Sequence, residues 1–384
     1  MTNAVIVDAV RTPIGRAGDK GVFRQVRADM MMADLVRALV ARAGVPAAEV
    51  EDVIIGCATQ TGETGLNLGR NVVILAGLPV EVAGQSINRL CASSLQAVMS
   101  GAQAIMTGCG EVMLAGGVES MTHFPMGKDA DLGALFGKVD PRAFIMGQTA
   151  EAVAQKYGVP REEQDAYALE SHRKAVAAQA AGRFKDEIIP RQGVDLEGNT
   201  IEVTQDQGPR PDTSLEKLAT LQPSFVPTGG TVTPGNASAL NDGAAAVMLT
   251  SAEKAAALGL KPFARVHAMA VTGVDPLYMG IGPIPATRKV LARAGLTVAD
   301  LDLVELNEAF AVQALVCIRE LGLDPAKVNV NGGAVALGHP LGCSGARITT
   351  TLVHEMRRRG ARWGLATMCV GLGQGAAIIF EGLQ

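Results

Sequence analysis

The chain repeats itself, and a repeat of this length implies two similar units packed together. The segment "ARAGVPAAEVEDVIIG", from Ala41, is matched by "ARAGLTVADLDLVELN", from Ala292, at an offset of 251 residues. Each reads as a helix end, a glycine stop, a short acidic turn and a strand. A second pair follows: Cys91 and a helical pattern run to Gly108 and "EVMLAGG", while Cys343 and a helical pattern run to Gly360 and "WGLATMC", at an offset of 252. One such likeness is common in α/β proteins, but two at nearly one offset predict a duplicated α/β domain.

Between the halves, roughly Met121 to Ser238, lies a segment rich in charge and turn residues, such as "MGKDADLGALFGKVDPR" and "QGPRPDTSLEK". It reads as an insertion. The expected division is an N-terminal half over 1–120 completed by 239–262, the insertion over 121–238, and a C-terminal half over 263–384. Inside the insertion "REEQDAYALESHRKAVAAQAAG" predicts an amphipathic helix, with Glu162 and Glu163 at its positive end and His172 on a solvated face.

A length of 384 residues suits two or three domains, and 45 glycines with 3% aromatics suit a tightly packed α/β protein. The formal charge of -4, without a basic block, argues against nucleic acid as a partner. Six cysteines without C-x-x-C pairing, and without zinc-like spacing to the five histidines, predict no metal. "AVIVDAV" begins a strand within a few residues of Met1, no apolar run reaches membrane-spanning length, and "EGLQ" is no peroxisomal address. Free thiols then predict a cytoplasmic protein with no membrane partner.

Four places carry chemistry. In "SINRLCASSLQAVMS" the residues Leu95, Val98, Met99, Ala102, Ile105 and Met106 recur at helical spacing, so Cys91 falls at a helix N-terminus, where free N–H groups and the dipole favour a thiolate. The competing reading is a small buried apolar residue. Cys369 ends "GLATMC" before the glycine-rich "VGLGQGAA"; the following "AAIIF" is strand-like, which excludes a dinucleotide loop. His339, held between Gly338 and Pro340, suits a general base or a structural histidine, and Cys343 a duplicated packing position. Asn307 in "ELNEAFA" serves equally as helix cap, water ligand or histidine orienter. Together they point to a cysteine nucleophile with histidine support.

The blocks "NRLCASS", "GGVESM", "TPGNASALNDGAAA", "LNEAFA", "GGAVALGHPLGCSGARI" and "LATMCVGLGQGAA" resemble the thiolase family, in order and across the whole chain. The resemblance implies a duplicated five-layer αβαβα fold, with the sheets of the halves back to back and the insertion as a loop domain over the coenzyme A site. It also implies that Cys91 is the acylated nucleophile, His339 its base and Cys369 the acid/base at the substrate α-carbon. By the same resemblance Asn307 holds an oxyanion-hole water with His339, and the N–H groups of Cys91 and Gly371 form a second hole. The resemblance further implies that Ser238 contacts the pantetheine arm and that Met146 lies at the substrate. No permanent cofactor is implied; coenzyme A is a substrate, with acyl-CoA as the other partner.

The implied reaction is cleavage of a 3-ketoacyl-CoA, reversible as a Claisen condensation. "HFPM" after "GGVESM", Cys343 within "GHPLGCSG", and Ile145-Met146-Gly147 where biosynthetic relatives have His-Met-Gly resemble the degradative branch. The alternative is a biosynthetic acetoacetyl-CoA enzyme. Gln222 stands where many relatives carry an arginine near the adenine, which leaves the phosphate contacts open. Relatives are homodimers or homotetramers, and some assemble in fatty-acid oxidation complexes. A papain-like hydrolase is the rival enzyme and gives Cys369 no task; a non-catalytic scaffold subunit is the other rival.

Overall fold

The computed structural model describes residues 2–127 and 130–383. Lys128 and Asp129, within the charged stretch of the insertion, and Gln384 of "EGLQ" lie outside the described residues. The first half contributes β1 (Ala4–Arg11), the short β2 (Gly15–Arg16), α1 (Ala28–Ala43), β3 (Asp52–Gly56), α2 (Leu68–Ala76), β4 (Ala83–Ile87), α3 (Ser93–Met106) and β5 (Val112–Ser120). The chain then leaves the main sheet for α4 (Met146–Tyr157), α5 (Arg161–Ala180), the hairpin β6 (Arg191–Val194) and β7 (Thr200–Val203), and α6 (Leu215–Ala219). It returns as β8 (Asn241–Ser251), with α7 (Ala252–Ala257) beyond it. The remainder is β9 (Ala264–Gly273), α8 (Pro283–Ala294), β10 (Leu303–Leu306), α9 (Ala311–Leu321), α10 (Ala334–Leu337), α11 (Ser344–Arg359), β11 (Trp363–Val370) and β12 (Gln374–Gly382).

The strands form one path, β10-β11-β12-β9-β1-β8-β5-β3-β4, with β2 beside β8. Within it β3 pairs in parallel with β4 and β5, and β10 in parallel with β11; the remaining main-path pairs are antiparallel. Sheets from the two halves were expected back to back. They are instead continuous at one narrow seam, where only Val5 faces Arg265 and Ile6 faces Ala264. The reason is strand twist: a sheet this wide coils, and its two wings fold around a shared helical layer.

That layer is α3 and α11, whose Leu95, Val98, Ile105, Ile348, Leu352 and Met356 fill the central apolar core. A second core lies between the first wing and α1 and α2, and a third between the other wing and α8 and α9. Helix, sheet, helix, sheet, helix makes five layers. Burial on both faces explains the near-continuous apolar β5 and β8.

The duplication persists in the elements. Leu90 and Leu341 start matching 3₁₀ turns, Ser93 and Ser344 start α3 and α11, and Val112 and Trp363 start β5 and β11, each pair 251 residues apart. At that spacing the counterpart of Cys91 is Gly342, and Cys343 is a buried member of the central core. Helix α5 differs from expectation on its inner face, which carries Gln164, Asp165, Ser171 and His172 as well as alanines. His172 is buried, not solvated, and accepts a hydrogen bond from the Arg210 N–H at Nδ1, 3.2 Å.

Candidate active site

Two crossing helices build the site. The Ser94 hydroxyl of α3 accepts the Ala346 N–H of α11 at 2.8 Å, and a Cβ at Gly345 would lie 2.2 Å from the Leu95 nitrogen. Only glycine permits so close a crossing. The 3₁₀ turns ahead of the two helices, Leu90–Ala92 and Leu341–Cys343, therefore meet each other, and the first also packs on β11. Duplication thus delivers the same loop from each half to one spot, carrying Cys91 from one side and His339 from the other.

Cys91 is half-buried in its turn, after Leu90 at φ 45°. Burial pushes its thiol up to about 11, against the Gly371 and Cys91 N–H groups that favour a thiolate. These two N–H groups, one of them from the loop after β11 and not from a helix end, lose to desolvation. Cys369 sits near the end of β11, opposite Gly375 of β12, fully buried. Burial and the charge a Cys91 thiolate would carry hold its thiol well above the ordinary value. After it comes Gly371, where a Cβ would lie 3.1 Å from Leu90 Cδ1 and 3.8 Å from Met146 Sδ. Gly371, Met146 and the Cys91 turn therefore share one wall.

His339 is buried with its ring oriented by Ser344. The Ser344 hydroxyl donates to the Pro340 carbonyl at 2.8 Å, so at 2.6 Å from Nδ1 it accepts the imidazole N–H. That assigns the tautomer with Nε2 unprotonated. Burial, then the nearby Arg347 cation, lower the imidazole to about 3, so it rests neutral. Asn307 does not cap α9, whose N-cap is Phe310. Its Nδ2 stands 3.4 Å from Nε2 and 3.5 Å from Nδ1 of His339, while its buried Oδ1 has no partner among the described residues.

Ser238 is less direct. Both its N–H and its hydroxyl meet the Ala309 carbonyl at 3.0 Å, which ties the strand-like 237–238 to the Asn307 loop. Ile145, which stands where biosynthetic relatives have histidine, is 45% exposed at the start of α4, next to Met146. Gln222 is exposed. A cleft of about 130 Å³ lined by Arg16, His172, Arg210, Lys217, Asn241 and Gly338 reaches the residue before His339. A larger cleft, about 960 Å³, lies by the far end of α11 and includes none of these catalytic candidates.

Sequence reading missed two buried carboxylates and one hydroxyl. Glu119 accepts backbone N–H groups of Ala58, Thr59 and Gly342. Glu308 accepts Tyr167 and Ser171 hydroxyls, the Asn329 amide and the Val335 N–H. Each sits inside a quoted block, with partners as far as 223 residues away for Glu119 and 141 for Glu308; Ser344, also in a quoted block, meets Pro340 and His339 only four and five residues away. Among the described residues no group of three or more His, Cys, Asp or Glu is placed to hold a metal, and no helix is long and apolar enough to cross a membrane.

Known proteins resemble this chain over its whole length. The model "Thiolase, N-terminal domain" matches residues 4–253 and "Thiolase, C-terminal domain" residues 260–382. A 3-ketoacyl-CoA thiolase of Acinetobacter baylyi is 53% identical over 382 residues, 99% of this chain and 98% of the relative. One of Marinomonas sp. is 53% identical over 384 residues with the same coverage. The crystal structure of the Bacillus anthracis acetyl-CoA acetyltransferase superposes with a TM-score of 0.91 at 43% identity, covering 100% of this chain and 99% of that one.

Proposed function

The chain belongs to the thiolase family, and from that we infer that it is an acyltransferase cleaving 3-ketoacyl-CoA with coenzyme A. One observation carries the reading: two thiols share the site, one half-buried in the turn that packs against the turn following His339, the other fully buried and held above its ordinary range by burial and by Cys91. A hydrolase uses one thiol, and the second would have no work.

Cys91 attacks the 3-keto carbon and passes its proton to His339 Nε2, the nitrogen that Ser344 leaves free. The N–H groups of Cys91 and Gly371 donate to oxygen in the thioester-forming hole. The orphaned Asn307 Oδ1 supplies the acceptor that a held water needs, with His339 as its other partner. The tetrahedral adduct collapses by breaking the C2–C3 bond. Its electrons leave as the enolate of acetyl-CoA, and Cys369 protonates the α-carbon. Coenzyme A then gives its thiol proton to Cys369, attacks the Cys91 thioester and departs as the shortened acyl-CoA, while the imidazolium returns its proton to Cys91. A thiol held well above its ordinary range begins as an acid, which is the cleavage direction. No bound cofactor enters any step.

We place the phosphates of coenzyme A against Arg16 and Arg210, which line the cleft beside Gly338 without a salt-bridge partner among the described residues; Lys217 is engaged by Asp212. Residues 121–238 act as the loop domain that covers it. The edge strand β4, with exposed Leu66, Ile74 and Val80 on neighbouring segments, supports a homodimer or a dimer of dimers. Six unpaired cysteines suit the cytoplasm. A place in a fatty-acid oxidation complex fits the same reaction.

The test is a rate profile over 3-ketoacyl-CoA length. Ile145 and Met146 offer apolar surface, and each buried methylene contributes about 0.8 kcal/mol. Thiolysis of 3-ketohexanoyl-CoA or 3-ketooctanoyl-CoA is expected at a higher kcat/KM than that of acetoacetyl-CoA. Strong preference for acetoacetyl-CoA, with longer substrates inert, would establish the biosynthetic alternative that the 43% identical acetyltransferase represents.

A further inference from the structure

Four donors converge on the carboxylate of Glu119, which is 1% exposed at the end of β5. The N–H groups of Ala58 and Gly342 donate to Oε2 at 2.8 Å each; that of Thr59 at 3.0 Å and the Cys57 thiol at 3.6 Å donate to Oε1. A carboxylate in so dry a place persists only when its lone pairs are occupied, and here both halves of the molecule occupy them. Residues 57–59 follow β3 in the first half. Gly342 belongs to the turn just after His339 in the second.

Both branches lead to reacting groups. The Ala58 carbonyl accepts Asn88 Nδ2 at 2.9 Å, and Asn88 Oδ1 accepts the Leu90 N–H at 2.8 Å. Leu90 precedes Cys91 and is held at φ 45°, a conformation a leucine keeps only when its surroundings impose it. On the other branch Gly342 has no room to shift: a Cβ there would lie 2.7 Å from Cys57 Cα and 2.8 Å from Glu119 Oε2. Gly117, two residues before the carboxylate, faces the Gly342 carbonyl at 2.1 Å from its own imagined Cβ. The contact between halves at this point is backbone against backbone, with the carboxylate as its fastener.

We propose that Glu119 is a positioning residue that sets the Cys91 turn and the His339 turn against each other, through Ala58 and Asn88 on one side and Gly342 on the other. Burial first, and the Glu119 charge after it, oppose a thiolate on Cys91, so the nucleophile stays a thiol until His339 takes the proton in the reaction. The proposal rests on Cys91 as the nucleophile.

Two variants test it in the full-length protein. Glu119→Gln keeps the shape and sets an amide N–H₂ against backbone N–H groups. Its kcat for thiolysis is expected to fall about tenfold or more, as for a misplaced catalytic pair, with KM for coenzyme A within about twofold. The pH midpoint for alkylation of Cys91 is expected to move down, because a nearby negative charge is gone. Asn88→Ala, at an exposed position, cuts the relay and leaves the charge, so kcat is expected to fall about fivefold with the alkylation midpoint unmoved. Wild-type protein treated with 3-ketooctanoyl-CoA without free coenzyme A is mapped by mass spectrometry alongside. Label away from Cys91 overturns the nucleophile and this proposal together. Label on Cys91 with unaltered kcat in both variants overturns this proposal alone, and where Glu119→Gln does not fold, Asn88→Ala decides.

Discussion

Cys91 combines an exposed edge with a thiol pushed up to about 11, since burial outweighs the N–H groups of Gly371 and its own backbone. Only the thiolate is alkylated. Below its pKa the thiolate fraction grows about tenfold per pH unit, so alkylation of Cys91 by a neutral reagent is expected to keep rising from pH 7 to about 10. A plateau below pH 8 would mean that these N–H groups win after all. The two thiols also separate by substitution. Cys369→Ser retains the nucleophile and should still be acylated on Cys91 while losing exchange of acetyl-CoA α-protons with solvent; Cys91→Ser should lose acylation. Equal loss of both signals in both variants refutes the division of labour. Cys91, His339, Cys369 and Asn307 stand out in the sequence because each is a reactive or amide side chain at a helix start, a strand end or a glycine-rich turn. Glu119 does not, because Gly342 is 223 residues from it and nothing in "GGVESM" announces it; Ser344 does not, because a serine at a helix start is ordinary until its hydroxyl is seen between the Pro340 carbonyl and His339.

At the scale of elements, the insertion is joined to β1 by one arginine. Arg11 is fully buried; its Nε donates to Glu187 at 2.6 Å, its Nη atoms to Asp206 at 2.6 and 3.0 Å, and its guanidinium lies 5.0 Å over the Phe184 ring. Asp206 also accepts the Ile14 N–H at 2.8 Å, and Glu187 the Thr351 hydroxyl at 3.1 Å, so β1, the insertion and α11 meet at one charge cluster. Removing the cation leaves two buried carboxylates unpaired. Arg11→Met is expected to cost about 3–5 kcal/mol, read as a fall in the denaturant midpoint, and to admit protease first between residues 183 and 210. A loss under about 1 kcal/mol with unchanged cleavage would show that the insertion is held elsewhere. Nothing local in the sequence marks Arg11, because these partners lie 176 and 195 residues on. The helices and strands themselves were legible from periodicity. The polar inner face of α5 was not, since hydropathy cannot show that Asp165 meets Arg161 and Asn236, or that His172 meets the Arg210 backbone.

For the whole molecule, duplication was legible because two copies at one spacing are a sequence property, whereas the seam between β1 and β9 depends on how two twisted wings close, which no local pattern encodes. That closure buries ionisable groups whose titration sets stability against pH. Glu305, in contact with Arg347 at 3.2 Å, is raised by burial to about 8 from 4.5. Between those values the folded protein holds a proton that the unfolded chain has lost, so stability rises as pH falls through that window. His339 and His172 run the other way: burial lowers them to about 3 and about 4 from 6.5. Below 6.5 the unfolded chain takes up two protons that the folded protein refuses, and stability falls as pH falls. From pH 8 to 6.5 Glu305 and His123, both raised in the folded protein, favour folding as pH falls; below 6.5 His339 and His172 begin to oppose the raised carboxyls of Glu305, Glu119 and Asp242. The melting temperature is therefore expected to climb from pH 8 to 6.5, with its gain per pH unit shrinking below 6.5. Glu305→Gln should reduce the climb, and His172→Gln should extend it below pH 6.5, in thermal melts from pH 5 to 8.5. A wild-type curve highest above pH 8 would show that Glu305 is ionised in the folded protein, held by Arg347 more strongly than burial opposes it.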